Sequence, residues 1–364
     1  MKSFERSINY PSVYPLLGMY ELELSAPISV LIEITRKCNL RCLHCFSNSG
    51  IDTSLKELTT DEWKQFIDTL SDMKVFLIFF GGGEPLCRDD FFDIAAYTKM
   101  KGIEMCLLSN LTLIDYNIAS RLKEIGFYKV EGNLDGHTAE TYENLRQVPG
   151  SFKRTIEGIQ HCLKVGLPVR INCTLTKLNY QFIEEITEFA YNLGVTDIAF
   201  IRLIPAGRGD KNFDKLNISE KFYRERVLPL LRKLRIEYEN KINVGYEQDE
   251  HIIILSDPNK IMPWCGSGRI HCTITPEGFV KPDHSFPDDD MQVIAGNILK
   301  DSFIRIWQEA PVFKKIRNTV FSECYGCRHV QCAGGDVYRI YHHYGVIMGG
   351  RDPRCEETGN DNKT

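Results

Sequence analysis

Short apolar runs alternate along the first two thirds of the chain with segments that are apolar every three or four positions. The runs at 28–35, 74–82 and 197–205 are rich in Ile, Val, Leu and Phe, and with the stretches 103–110, 128–136 and 168–177 they read as strands. The segments at 61–72, 89–100, 115–125, 152–165 and 182–193 carry the helical period, with Thr60 as a cap before the first and Gly126 closing the third. Strands alternating with helices predict right-handed βαβ units around a parallel sheet. Six such units, curled into an incomplete barrel, place every strand's C-terminal end on one face, where barrel enzymes carry their chemistry.

The pattern changes outside 28–212. Residues 1–27 form an extension rich in Tyr, Pro and Leu, which is expected to pack on the next domain. Residues 213–262 read as a helical bridge, apolar at helical spacing over 227–236. Residues 263–364 are short-stranded and rich in cysteine, with a hairpin turning at Pro276-Glu277-Gly278. The expected class is therefore α/β: a partial (β/α)6 TIM-like barrel followed by a small α+β domain.

The 364 residues suffice for two or three domains and carry a net charge of −5. No long basic run points to nucleic acid or an acidic membrane, and no apolar run reaches transmembrane length or resembles a signal peptide. A cytoplasmic protein is expected. Thirteen cysteines in such a chain argue for metal ligation rather than disulfides. Cys87, Cys106, Cys162 and Cys173 are scattered and read as small buried apolar residues. The others cluster.

Cys38, Cys42 and Cys45 stand as C-x3-C-x2-C directly after the first predicted strand, on a loop opening at the barrel mouth. Three thiolates on one short loop suit three irons of a cubane and leave the fourth iron open; a zinc loop is the alternative, although zinc usually takes paired C-x2-4-C units. The second strand ends in Gly81-Gly82-Gly83-Glu84-Pro85, where missing side chains let the backbone approach a ligand. In the last domain Cys324, Cys327 and Cys332, with distant Cys355, make a four-ligand set for zinc or a cluster.

With His44 before the third cysteine, the C-x3-C-x2-C loop resembles the signature of the radical S-adenosylmethionine (radical SAM) superfamily. Members hold a [4Fe–4S] cluster on the three cysteines and chelate S-adenosylmethionine on the free iron. The resemblance assigns Gly82, Gly83 and Glu84 to the motif that grips the methionine amino group. Asn110 and Asn133, at the ends of the third and fourth strands, and Arg146 are implied cofactor contacts, and Leu203 is implied to pack on the adenine. Leu111 stands where the family usually has Gly.

The cysteine-rich end resembles the SPASM extension, which carries two auxiliary [4Fe–4S] clusters. Carried over residue by residue, the second auxiliary cluster keeps Cys324, Cys327, Cys332 and Cys355. The first keeps Cys265 and Cys272, with Asp283 and Asp336 at its other two ligand positions. Carboxylates prefer harder ions than thiolates do, so this site is either aspartate-ligated, altered or without a cluster.

The resemblance spans about residues 28 to 355 and is strongest to the SPASM peptide maturases, the mycofactocin maturases in particular. It implies that the protein modifies a ribosomally made precursor peptide by hydrogen abstraction, leading to decarboxylation, a crosslink or epimerisation. The implied partners are the peptide, a separate peptide-recognition protein, and a reductant such as flavodoxin or ferredoxin. Haem d1 and alternative haem synthesis enzymes share the barrel motifs, which makes porphyrin side-chain modification the alternative. A non-catalytic zinc or cluster-binding adaptor is the third reading. No general acid or base stands out; His284, Tyr338 and Tyr341 are candidates by residue type alone.

Overall fold

The computed structural model describes residues 24–50, 56–246, 265–319, 321, 335–353 and 355. Six βα units follow one another: β1 (Ser29–Thr35), α1 (Thr60–Asp72), β2 (Leu77–Gly82), α2 (Phe91–Met100), β3 (Glu104–Leu108), α3 (Tyr116–Ile125), β4 (Lys129–Asn133), α4 (Ala139–Arg146), α5 (Ser151–Lys164), β5 (Val169–Leu175), α6 (Ile183–Asn192) and β6 (Asp197–Arg202). Short helices α7 (Gly207–Lys211), α8 (Phe213–Leu216) and α9 (Glu220–Phe222) lead through a π turn to α10 (Leu228–Glu237) and strand β7 (Asn243–Tyr246). Then come β8 (His271–Ile274), β9 (Phe279–Lys281), β10 (Gly296–Asn297), α11 (Phe303–Glu309), α12 (Pro311–Asn318) and α13 (Val337–Tyr344).

The strands form one sheet in the order β10-β9-β8-β1-β2-β3-β4-β5-β6-β7, and β1 to β7 are parallel throughout, as a partial TIM-type barrel requires. Two joins extend it. Strand β7, in the stretch expected to be a helical bridge, pairs with β6, and β8 pairs in parallel with β1. The hairpin expected at Pro276-Glu277-Gly278 forms between β8 and β9, with Gly278 at φ +85°.

Side chains alternate across these strands. Val30, Ile32 and Ile34 of β1 are fully buried on the outer face, packed under the helices with Ile78 and Phe80 of β2. Helix α1 meets them with Trp63, Phe66, Ile67 and Leu70, one stripe at helical spacing. Each such side chain contributes roughly 1.5–3 kcal/mol of transfer free energy. The alternate set, Leu31, Glu33 and Thr35, faces the inside of the barrel.

Local signals set the boundaries. Thr59, not Thr60, caps α1, accepting from the Glu62 amide while the Glu62 carboxylate reaches back to the Thr59 amide. Gly126 ends α3 in the left-handed conformation, φ +102°. Helix α4 is not evident in the hydrophobic pattern: it has eight residues, starts at the Thr138 cap and stops at Gln147, φ +60°. It matters because Arg146 sits in its last turn.

Candidate functional site

The cysteine loop leaves the end of β1 and is pinned from three sides. The last turn of α4 leaves carbonyls without helical partners, and the loop supplies donors: the amides of Arg41 and Leu43 bond to the Arg146 and Leu145 carbonyls at 3.2 and 2.9 Å. From the other side Arg208 bonds through Nε to the Cys42 carbonyl at 2.8 Å and through Nη1 to the Ser49 carbonyl at 2.8 Å. Its amide reaches the Cys45 carbonyl at 2.8 Å, and Asn212 donates to Leu43 at 3.1 Å. Gly207 lies so near the loop that a β-carbon there would stand 2.2 Å from the Phe46 carbonyl oxygen. At the base, Arg36 bridges to Glu277 of the β8–β9 hairpin at 2.5 Å and to Asp288 at 2.7 Å.

Polar groups surround the three sulfurs. The Leu40 amide lies 3.4 Å from Cys38 Sγ, Asn110 Nδ2 lies 3.9 Å from the same sulfur, Arg146 Nη1 lies 3.4 Å from Cys42 Sγ, and Ser47 Oγ lies 3.5 Å from Cys45 Sγ. Burial pushes the Cys38 thiol up to about 12 and raises Cys42 as well. Such thiols are uncharged unless a metal displaces their protons.

Beside the cysteines lies the glycine turn. Gly82 has φ +111°. A β-carbon on Gly83 would stand 2.1 Å from the Lys37 carbonyl oxygen, so only glycine fits there. The amides of Gly83 and Glu84 bond back to the Thr35 and Lys37 carbonyls at 2.8 Å each. The Glu84 side chain reaches across to the end of β3. Fully buried, it accepts from the Asn110 amide at 2.7 Å, Ser109 Oγ at 2.9 Å and the Leu86 amide at 3.3 Å, tying the end of β2 to the end of β3. Burial lifts its carboxyl to about 7 against these donors.

Asn110 thus joins Cys38, Asn39 (2.8 Å) and the Glu84 clamp. Leu111, in the usual glycine place, adopts the glycine-like conformation, φ +66°. It is fully buried against Gly132 and Gly158, where a β-carbon would approach it to 2.2 Å in each case. Two neighbouring glycines therefore make the room that a strained leucine needs, at about 1–2 kcal/mol of backbone cost.

Arg146 is buried behind the loop rather than open at the mouth. It forms an ion pair with fully buried Asp135, and Asp135 also lies 3.6 Å from His44 Nε2. Burial lowers His44 to about 4, leaving a neutral imidazole. Leu203 is buried with Leu145 and Leu216 and packs on Leu43 of the cysteine loop. Asn133 lies half-buried at the end of β4, beside Asn172 of β5. Of the scattered cysteines, Cys106, Cys162 and Cys173 are buried and Cys87 is partly so.

These neighbours suit the loop to a cubane: three thiols, N–H groups on Cys38 and Cys42, a hydroxyl beside Cys45, and a side-chain-free backbone alongside. Sequence reasoning missed Arg208, Asn212 and Asp135. Only the pair Gly207 and Gly209 flanking Arg208 hinted at a close approach.

A second polar group occupies the inner face below the loop. Glu33 is almost fully buried, and its Oε1 has no hydrogen-bond partner among the described residues. Lys281 of β9 lies 3.9 Å from its other oxygen and is paired to Asp288. Burial raises Glu33 against the Lys281 charge. The His284 ring meets Phe46, the residue after Cys45, edge-on with centroids 4.5 Å apart.

In the C-terminal part Cys324, Cys327 and Cys332 lie outside the described residues. Cys355 is partly buried, its amide bonded to the Asp352 carbonyl at 2.9 Å. Asp352 also accepts the Asp336 amide at 2.9 Å, and Gly335 packs on it so closely that a β-carbon would stand 2.2 Å away. Asp336 caps α13 through the Arg339 amide at 3.0 Å. Asp283 lies between two imidazoles, 3.2 Å from His271 Nε2 and 3.3 Å from His284 Nδ1. Tyr338 donates to the Pro205 carbonyl and Tyr341 to Asp290, both at 2.5 Å.

Comparison with known proteins converges on this geometry. Residues 32–190 match the Radical SAM superfamily model and residues 265–332 the SPASM iron–sulfur cluster-binding domain model. The AdoMet-dependent heme synthase of Methanosarcina barkeri is 32% identical over 333 residues, covering 87% of this chain and 93% of that protein. The mycofactocin maturase MftC of Mycolicibacterium smegmatis is 30% identical over 347 residues, covering 94% and 86%. Among solved structures, Streptococcus suis SuiB bound to S-adenosylmethionine superposes with TM-score 0.73 at 18% identity, covering 91% of this chain and 78% of SuiB. Native anSMEcpe with bound AdoMet gives 0.70 at 19%, covering 91% and 94%. With the cysteine loop, the glycine turn and the barrel all accounted for in this way, the chain belongs to the radical SAM superfamily and is an enzyme with a SPASM domain, using S-adenosylmethionine and iron–sulfur clusters.

Proposed function

We propose that this enzyme abstracts a hydrogen atom from a ribosomally made precursor peptide. Cys38, Cys42 and Cys45 would hold the radical-generating cluster, with Gly82 and Gly83 beside it for the methionine end of the cofactor. When bound, the cluster and S-adenosylmethionine supply a 5′-deoxyadenosyl radical by reductive cleavage. The chain's own residues do the positioning. Arg208, Asn212 and the end of α4 fix the loop, Glu84 locks the glycine turn to β3, and the β8–β9 hairpin covers one side of the mouth through Arg36. A reductant such as flavodoxin or ferredoxin and a separate peptide-recognition protein complete the reading.

The observation favouring a peptide is the pairing of four cations around and below the cysteine loop, although exposed Lys37 beside Cys38 has no carboxylate partner among the described residues. Arg36, Arg88, Arg202 and Lys281 are each paired to carboxylates: Glu277 and Asp288, Asp90, Glu220, and Asp288. A porphyrin carrying several propionates calls for uncommitted cations; a largely neutral peptide backbone does not. The second reading, porphyrin side-chain modification, is favoured by the 32% identity to a heme synthase over most of its length. Anaerobic incubation with reductant and S-adenosylmethionine separates them. A small peptide encoded beside the gene should change in mass while iron-coproporphyrin III stays unchanged. Change in the porphyrin alone overturns the peptide reading.

A further inference from the structure

The four residues at the family's first auxiliary-cluster positions do not form one ligand set. Strand β8 decides this. Cys272 is level with Val30 of β1, which is level with Ile78 of β2, and all three are fully buried on the outer face. Its neighbours His271 and Thr273 therefore point to the inner face. On β9, Lys281 is level with Thr273, so Asp283, two residues on, lies across from His271 on that same inner face. Cys272 and Asp283 thus stand on opposite sides of one hairpin, with the backbone between them.

The two carboxylates are also engaged elsewhere. Both Asp283 oxygens are used: Oδ2 faces His271, while Oδ1 faces His284 and accepts the Ser285 amide at 3.0 Å. Asp336 serves as the N-cap of α13. Cys265 is buried with its thiol 3.2 Å from Ser267 Oγ. A cubane needs four ligands converging on its corners, and soft sulfur is its usual partner. Here one thiol faces away and two positions are hard carboxylates doing other work.

We infer that the first auxiliary site holds no cluster, and that Asp283 instead builds a His271–Asp283–His284 unit on the inner face of the barrel beside Phe46. The inference rests on the SPASM assignment. It leaves Cys324, Cys327, Cys332 and Cys355 as the auxiliary ligand set, so reconstituted protein carries about eight irons, two four-iron clusters, rather than about twelve.

The test compares iron and sulfide per chain, with Mössbauer spectra, in the anaerobically reconstituted full chain and its variants. Cys265→Ser/Cys272→Ser should keep the parent's iron content. Asp283→Asn, a change in a partly exposed polar group that leaves the buried core untouched, should keep it too. Loss of about four irons in either variant overturns the inference. A separate Cys38→Ala/Cys42→Ala/Cys45→Ala variant should lose about four irons; retention there faults the radical-cluster assignment and leaves the first comparison standing.

Discussion

Glu84 gives a quantitative test of how the glycine turn is held. Its carboxyl is fully buried and accepts three hydrogen bonds, from Asn110, Ser109 and Leu86. Burial favours the neutral acid and the donors favour the carboxylate. Burial wins, raising the group from 4.5 to about 7. The folded state therefore binds this proton more tightly than the unfolded state. The stability it contributes is fully present below about pH 4.5 and is lost as pH rises through about 7. At about 1.36 kcal/mol per unit the whole effect is roughly 3 kcal/mol, of which roughly 2.5 kcal/mol falls between pH 5 and 8. Glu84→Gln removes the titration and costs a constant amount, about 1 kcal/mol, for the hydrogen bond to the Leu86 amide. Urea unfolding of parent and variant across pH 5 to 8 should show the parent losing stability relative to the variant by that margin. A pH-independent difference, or one of opposite slope, would mean that the donors outweigh burial and that Glu84 is ionised throughout.

Two further substitutions probe the same neighbourhood. Gly83→Ala puts a β-carbon 2.1 Å from the Lys37 carbonyl oxygen and should weaken S-adenosylmethionine binding at least roughly tenfold by equilibrium dialysis, whereas Gly50→Ala, with nothing within 4 Å, should bind as the parent does. Arg146→Ala strands the buried Asp135 carboxylate and should cost about 3–5 kcal/mol in urea unfolding; Arg146→Met with Asp135→Leu should recover most of it, and equal losses in both variants would show that the ion pair is not the cause.

Much of the fold was legible because strands and helices alternate with distinct apolar periods. All six expected strands form, each within its expected range, and burial on the helix side asks for an apolar residue at alternate positions, as at Val30, Ile32 and Ile34. Helix α4 was hidden by its length and mixed polarity, so the reason Arg146 stands beside Cys42 was hidden too. The pairing of β8 with β1 joins residues more than two hundred positions apart; no local pattern encodes that. It also decides which face Cys272 takes. The cysteine loop and glycine turn were readable as motifs, but the clamps around them were not: Arg208 and Asp135 act through partners distant in sequence. Leu111 departs from the family pattern in type yet keeps its backbone conformation, because Gly132 and Gly158 lie opposite it.

The central proposal is that Cys38, Cys42 and Cys45 hold the cluster that reductively cleaves S-adenosylmethionine. Its most direct test is 5′-deoxyadenosine formation under anaerobic reduction, measured by chromatography for the reconstituted parent and for alanine at each of the three cysteines. The parent should form it, and each single variant should form none, because two thiolates do not keep a cubane with one open iron. Undiminished 5′-deoxyadenosine from any of the three variants would contradict the account.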